Sequence, residues 1–464
     1  MRNILLATLL LVTPALIAQP VTAETRIPQS EAEIAIGFAP LVRRAAPAVV
    51  NIYARRVVEA QASPFAGDPF FEQFFQGFGK PQPRVQNSLG SGVILSADGI
   101  VVSNFHVVGQ ATDIRVVMTD RREYSAHVVL ADQESDLAIL QLDGATDLPH
   151  LELRDSDHVE VGELALAIGN PFGVGQTVTS GIVSGLARSG MATGNARGYF
   201  LQTDAPINPG NSGGALIDVN GALIGINTSI LSRSGGSNGI GFAIPSNLVA
   251  EFVKQARDGE EDFQRPWAGM AGQPVDSDLA ASLGLSVPDG IIISDLHADS
   301  PFAAAGFEVG DVITYVAGQP VNSPSEMIFR MTVTGIGNTA MVTRVRDGRA
   351  AEIEVAMGPA PDTPPSQELT LSDDTVLPQL QVARINPALI ARYGLPLDIN
   401  GVLITDTGPY GARAGLKRLD IIRAINGDPV ETTVEVEEVL GDPGRWVQLD
   451  LERAGRLLSL RFRL

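Results

Sequence analysis

SGVILSADGIVVSNFHVV, residues 91–108, holds two apolar runs hinged on Asp98-Gly99. Asp-Gly supplies the positive φ angles of a tight hairpin turn, so the stretch predicts two paired strands. ALIDVNGALIGINT, residues 215–228, repeats the scheme about Asn220-Gly221. From Val49 to about Ile244 the chain is a succession of such β-type runs with little helical periodicity. Many short strands at this spacing predict an all-β barrel or sandwich. A helix closes the region. Ser246 stands where a cap belongs, Leu248, Val249, Phe252, Val253 and Ala256 recur on one face, and Gly259 ends it.

The 464 residues allow roughly two to four domains. At the N-terminus Arg2 precedes an apolar run from Ile4 to Ala18, with Val21 and Ala23 at the small-residue positions of a cleavage site. Residues 1–23 read as an export signal removed after Ala23; the competing reading is a membrane anchor, but the run is too short to span a bilayer. The mature chain is then expected to have no transmembrane segment, with contact to a membrane surface left open. The net charge of −20 and the presence of only three lysines argue against nucleic acid as a partner. Without cysteines there is no disulfide scaffold, thiolate metal site, thiol nucleophile or lipid-modified cysteine. No HExxH occurs among the five histidines, and Gly79-Lys80 lacks a phosphate loop around it. No metal and no cofactor is expected.

Beyond Arg265 the chain repeats itself. GFEVGDVITYVAGQPV (306–321) aligns without a gap on GLKRLDIIRAINGDPV (415–430), matching Gly306 to Gly415, Asp311 to Asp420, Gly318 to Gly427 and Pro320 to Pro429. A repeat of about ninety residues contains its own core, so two tandem modules are expected. Their boundaries are set at 266–358 and 372–464, after a first domain spanning 24–258. The connecting stretch 359–371 opens with the proline-rich, polar PAPDTPPSQ and reads as a linker. A further segment, 63–84, holds six phenylalanines between prolines and glycines. Rings so dense need burial, either on their own domain or in a subunit or lid contact; the second is the expectation.

INPGNSGGAL, residues 207–216, surrounds Ser212 with Gly210, Gly213 and Gly214. A glycine cluster costs backbone entropy and needs a reason: a sharp loop, or amides that converge beside the serine. A serine is a weak nucleophile unless a base takes its proton and a third group orients that base. Of the histidines, His106 ends a strand in the hairpin-rich domain that also contains Ser212. Asp132, Asp136, Asp143 and Asp147 are all candidates for the acid, Asp136 opening the apolar strand DLAILQL.

The order His106, Asp136, Ser212 is that of chymotrypsin-like folds. GNSGGAL, SNFHVV and SDLAIL together resemble the HtrA/Deg family of serine proteases, and GDVITYVAGQPV resembles its PDZ modules. The likeness runs from Ala45 to the C-terminus and is greatest for the periplasmic branch with two PDZ domains. It implies a mainly β fold, a chymotrypsin-like double β-barrel followed by two PDZ (α+β) domains. It implies an ATP-independent serine endopeptidase that degrades misfolded or unfolded proteins in the periplasm, with His106, Asp136 and Ser212 as its triad. By the same likeness the amides of Gly210 and Ser212 form the oxyanion hole, and the other glycines keep the substrate's approach clear. Ile207 and Ile240 would line a pocket for small or medium aliphatic residues, and Arg188 would sit on a sensor loop. Trp267, Ala268, Gly269 and Met270 occupy the place of the first PDZ domain's carboxylate loop, which would hold hydrophobic peptide C-termini. LPQLQVARI offers no glycine there in the second copy, which is expected to serve assembly more than peptide binding. A homotrimer, extendable to larger cages, is implied. The alternative from another class is a chaperone or PDZ scaffold that binds unfolded proteins without cutting them.

Overall fold

The computed structural model describes residues 37–58, 84–169, 175–189, 199–208, 210–230, 239–442 and 444–463. The export signal and nearly all of the phenylalanine segment lie outside the described residues, as does Pro209. Strands β1 (Val49–Val58), β2 (Arg84–Ile94), β3 (Ile100–Ser103), β4 (Asp113–Val117), β5 (Glu123–Asp132) and β6 (Leu137–Leu142) close a barrel in the order β1-β2-β3-β6-β5-β4. A second barrel closes in the order β10-β11-β12-β9-β8-β7. Its strands are β7 (Leu164–Gly169), β8 (Thr177–Ser189), β9 (Tyr199–Thr203), β10 (Ala215–Ile217), β11 (Leu223–Ile230) and β12 (Gly241–Pro245). The period-2 pattern does what the pleat requires: β4, DIRVV, buries Ile114 and Val116 and exposes Asp113 and Arg115. Each barrel has its own core, and a third cluster joins Val93, Val102 and Ile139 of the first to Ile168, Ile217 and Phe242 of the second. The cleft between two barrels so joined is where residues from both can meet.

Helix α1 (Phe105–Val108) follows β3, and helix α2 (Ser246–Asp258) follows the second barrel. In α2, Leu248, Val249, Phe252 and Ala256 are buried and Gly259 ends the helix at φ 86°, as the periodicity predicts. Its start differs from expectation. Pro245 is the N-cap, and the Ser246 hydroxyl donates to the Arg154 carbonyl at 2.5 Å, tying the helix to the chain that joins the barrels.

Arg154 also binds two carboxylates: both oxygens of Glu163, at 2.6 and 2.9 Å, and Asp218 at 3.2 Å. Burial pushes the Glu163 carboxyl up, but the Arg154 guanidinium and the Glu160 N–H outweigh it and hold the group below its ordinary 4.5. The unfolded chain therefore takes up this proton first as pH falls. The stabilisation is complete above pH 4.5 and is lost as pH drops through the folded value. Glu163→Gln is expected to cost about 2 kcal/mol at neutral pH, because Arg154 keeps a poorer partner. Urea melts at neutral pH and below about pH 4 check this, since the deficit must shrink in acid; a deficit equal at both would mean another group titrates.

The first C-terminal module is a sheet of β13 (Met270–Pro274), β14 (Ile291–Leu296), β15 (Val312–Val316), β17 (Thr339–Arg346) and β18 (Arg349–Ala356) in that order, with β16 (Gln319–Pro320) beside β15. Helix α3 (Pro324–Thr334) packs across it. The second module repeats this with β20 (Gln381–Arg384), β21 (Val402–Asp406), β22 (Ile421–Ile425), β23 (Asp428–Pro429), β24 (Trp446–Arg453), β25 (Arg456–Arg463) and helix α4 (Thr433–Gly441). It adds one strand, β19 (Leu369–Thr370), drawn from the stretch expected to be linker.

The first module is seated on the second barrel through α3. Phe329 joins the core between the barrels and stacks on Tyr199 with ring centroids 3.9 Å apart. Buried Arg330 pairs with Asp157 and donates to the Tyr199 hydroxyl at 2.9 Å. Just before the module, Arg265 pairs with Asp132 and donates to the Ser135 hydroxyl at 2.7 Å, gripping the turn that leads into Asp136.

Candidate active site

His106 lies in the single turn of α1, whose N-cap, Asn104, is extended at φ −82°, ψ 147°. Asn104 does not cap the helix with its side chain; its Nδ2 donates to the Asp136 carbonyl at 2.9 Å, tying α1 to the turn before β6. Asp136 is left-handed at φ 54°, a conformation that costs a non-glycine residue energy and that the surrounding bonds must hold. Its Oδ1 accepts from the His106 backbone N–H at 3.0 Å, and both carboxylate oxygens lie 2.9 Å from His106 Nδ1. A carboxylate there fixes the ring proton on Nδ1 and leaves Nε2 as an acceptor. His106 is half exposed at 50%, against 23% for Asp136, so the ring is open on the side away from the carboxylate.

Thr228, in β11, connects this pair to the serine. Its hydroxyl donates to Asp136 Oδ2 at 2.6 Å and its carbonyl accepts from Ser212 Oγ at 3.0 Å. Ser212 and His106 share no hydrogen bond among the described residues; the hydroxyl rests on Thr228 instead. Ser91, in β2, is the second residue that sequence reasoning missed. Its N–H donates to the Ser212 carbonyl at 2.9 Å and its hydroxyl to the Gly210 carbonyl at 2.7 Å. With those carbonyls held inward, the amides of the loop divide into two sets. Asn211, Gly213 and Gly214 donate within the protein, whereas the N–H groups of Gly210 and Ser212 have no acceptor among the described residues.

The glycines differ from expectation. A Cβ on Gly213, which sits at φ 81°, would lie 2.1 Å from the Ser91 carbonyl oxygen and 2.5 Å from Ser103 Oγ. One on Gly214 would lie 2.2 Å from the Ile168 carbonyl oxygen. These residues let the loop press against β2 and β7; they do not clear a path for substrate. An open cleft lined by Arg55, Arg56, Phe105, His106, Gln110 and Asp136 borders the site on the side of the first barrel.

Ile207 is buried in the second barrel's core against Gly241, and Ile240 is partly buried on the core between the barrels. Arg188 lies in β8 opposite Phe200; its side chain is outside the described atoms. In the first module Trp267 is buried edge-on to His297, with ring centroids 5.4 Å apart. The carbonyls of Ala268 and Gly269 accept from Ser300 Oγ and the His297 N–H, while the N–H groups of these two residues have no acceptor among the described residues. No cluster able to hold a metal occurs among the described residues, and no described helix is long and apolar enough to cross a membrane.

Residues 90–226 match the trypsin-like peptidase domain model, and residues 262–357 match the PDZ domain model. The chain is 38% identical over 433 residues to the periplasmic pH-dependent serine endoprotease DegQ of Escherichia coli (strain K12), covering 92% of this chain and 91% of that one. It is 37% identical over 406 residues to the periplasmic serine endoprotease DegP of the same strain, covering 86% and 82%. Among solved structures it is similar to the HtrA-type protease AlgW with tripeptide, at 39% identity and a TM-score of 0.53, over 70% of this chain and 98% of that one. AlgW with decapeptide gives 41% identity and a TM-score of 0.52, over 70% and 99%.

Proposed function

Because this chain belongs to the HtrA/Deg family of serine endoproteases and is a chymotrypsin-like serine endopeptidase, we propose that Ser212 is its nucleophile, His106 its general base and Asp136 the group that orients the base. The observation that carries the reading is the run of contacts from His106 through Asp136 and Thr228 to Ser212, beside two amides with no acceptor among the described residues. For the reaction, the hydroxyl leaves the Thr228 carbonyl and turns to His106 Nε2. Giving up one neutral hydrogen bond costs about 1 kcal/mol, so the resting position is a small barrier. Ser212 then attacks the peptide carbonyl while Nε2 takes its proton. Asp136 stabilises the imidazolium, and the proton passes to the leaving amine before water releases the acyl group. Gly210 N–H and Ser212 N–H bind the oxyanion, and Ser91 holds the carbonyls of the same two residues, in the adjoining peptide planes, from behind.

The remaining assignments belong to the same reading. Ile207 and Ile240 shape a pocket for small or medium aliphatic residues, and Arg188 relays module or substrate occupancy to the active-site loops. A peptide C-terminus pairs along the open edge of β13, its carboxylate on the amides of the Trp267–Met270 loop. The structures of AlgW with tripeptide and with decapeptide support peptide binding as such. Substrates are misfolded or unfolded polypeptides in the periplasm, where the relatives are named, reached through the export signal. The names of those relatives favour cutting over a chaperone that only binds. The smallest assembly is a homotrimer, extendable to cages.

A fluorophosphonate probe tests the chemistry. The native chain is expected to take one label, on Ser212, faster when a peptide ending in a hydrophobic carboxylate is present; label elsewhere, or none, overturns the assignment. Light scattering on the same preparation measures the assembly, and the mass of a single chain at high concentration would overturn the trimer.

A further inference from the structure

The two C-terminal modules repeat each other strand for strand, which makes one difference informative. In the first, β13 is the end of its sheet: it pairs with β14, and its other edge faces α3 unpaired among the described residues. In the second, β20 stands where β13 stands, between β21 and α4, but its outer edge is taken. Antiparallel β19 lies on it with Leu369 opposite Val382 and Thr370 opposite Gln381. The bonding runs beyond the strand. Arg384 N–H donates to the Ser366 carbonyl at 2.7 Å and Leu371 N–H to the Leu380 carbonyl at 2.9 Å. On the helix side, Val376 N–H donates to the Leu440 carbonyl at 3.0 Å and Ser372 N–H to Glu437 Oε1 at 3.3 Å.

The side chains follow the pattern of a docked strand. Leu371 and Leu377 are each 2% exposed and join Val382, Val436 and Leu440 in one core, with Leu369, two residues before Leu371, packed against it. The amides that could grip a carboxylate are engaged as well. In the first module Gly269 N–H has no acceptor among the described residues, whereas its counterpart by strand register, Gln379 N–H, donates to the Leu371 carbonyl at 3.1 Å, and Pro378, which stands in the place of Ala268, has no N–H to offer.

We propose that residues 366–377 are a built-in ligand of the second module, a strand of the chain's own connector that fills the groove between β20 and α4, so that this groove takes no external peptide and peptide capture falls to the first module. A tethered strand acts at an effective concentration on the order of millimolar. A free peptide that binds at micromolar levels by adding a strand to an open edge has no edge left to join. The inference rests on the second module alone and stands whether or not Ser212 is the nucleophile.

The lack of cysteines makes the test direct. Thr370 and Gln381 face each other across the β19–β20 register and are both exposed. In the full chain carrying Ser212→Ala to prevent self-cleavage, Thr370→Cys with Gln381→Cys is expected to form an intrachain disulfide in nearly all molecules. The rate should not change in a large excess of a peptide ending in a hydrophobic carboxylate. The locked chain should bind a fluorescent form of that peptide with the affinity and stoichiometry of the reduced chain. Failure to close, slower closure with peptide, or loss of a binding site on locking would each overturn the proposal. In the native chain, hydrogen exchange provides a readout free of substitutions: the amides of Leu371, Val376 and Gln379 are expected to exchange slowly, and fast exchange at all three would overturn it.

Discussion

Ser212→Ala is expected to lower the turnover of unfolded β-casein by about a millionfold, His106→Ala by about as much, and the pair together by no more than either alone. The reason is that these groups act as one unit. A hydroxyl without a base is a poor nucleophile, and a base without a hydroxyl has no proton to take. Asp136→Asn should cost less, about ten-thousandfold, because the amide still reaches His106 but favours the wrong ring tautomer. The rate that remains reflects the oxyanion site and substrate binding, which none of these changes touches. Initial rates of casein cleavage, with far-ultraviolet circular dichroism to check folding, measure all four variants. If the double variant were slower than either single one by a further large factor, the two residues would act independently and the triad reading would fail.

What could be read from the sequence, and what could not, divides by the range of the interaction. The hairpins were legible because their signals are local. Gly99 and Gly221 take the positive φ of 92° and 86° that their turns require, and the strands on either side alternate or run apolar as the barrels demand. The repeat was legible for a physical reason as well. Asp311 and Asp420 are almost wholly buried, and each accepts from the same kind of arginine, Arg346 and Arg453, which reaches on to the carbonyls of Gly306 and Gly415 at 2.9 Å. One motif thus preserves one ion-paired corner twice.

Contacts between distant segments left no such trace. Thr228 and Ser91 are strand hydroxyls with a second hydroxyl nearby in each strand, Ser229 and Ser88, and nothing local separates them from ordinary strand residues. The composition of 359–371 suggested a linker because prolines and polar residues dominate it, but Leu369 and Leu371 at its end are enough to seat a strand. Ser246 has the chemistry of a cap and sits one residue too late to be one, so its hydroxyl is free to hold Arg154.

Gly213→Ala is expected to cost about 3–5 kcal/mol of stability and about a thousandfold in turnover, the largest effect of any single methyl group near the site. Two terms add. At φ 81° an L side chain is strained wherever it has space, and here it has none. The new Cβ would need to displace the Ser91 carbonyl oxygen from 2.1 Å, and that oxygen also accepts from Ser103 Oγ at 2.7 Å. Moving it shifts β2, and with β2 go the Ser91 bonds to the carbonyls of Gly210 and Ser212. The amides of Gly210 and Ser212 would then turn from the position where charge develops, so rate should fall further than stability alone requires. Fluorophosphonate labelling separates the two effects. A chain that still melts cooperatively but labels slowly has a displaced oxyanion loop. A chain that labels at the native rate would mean that the close approach of Gly213 to Ser91 does not hold that loop in place.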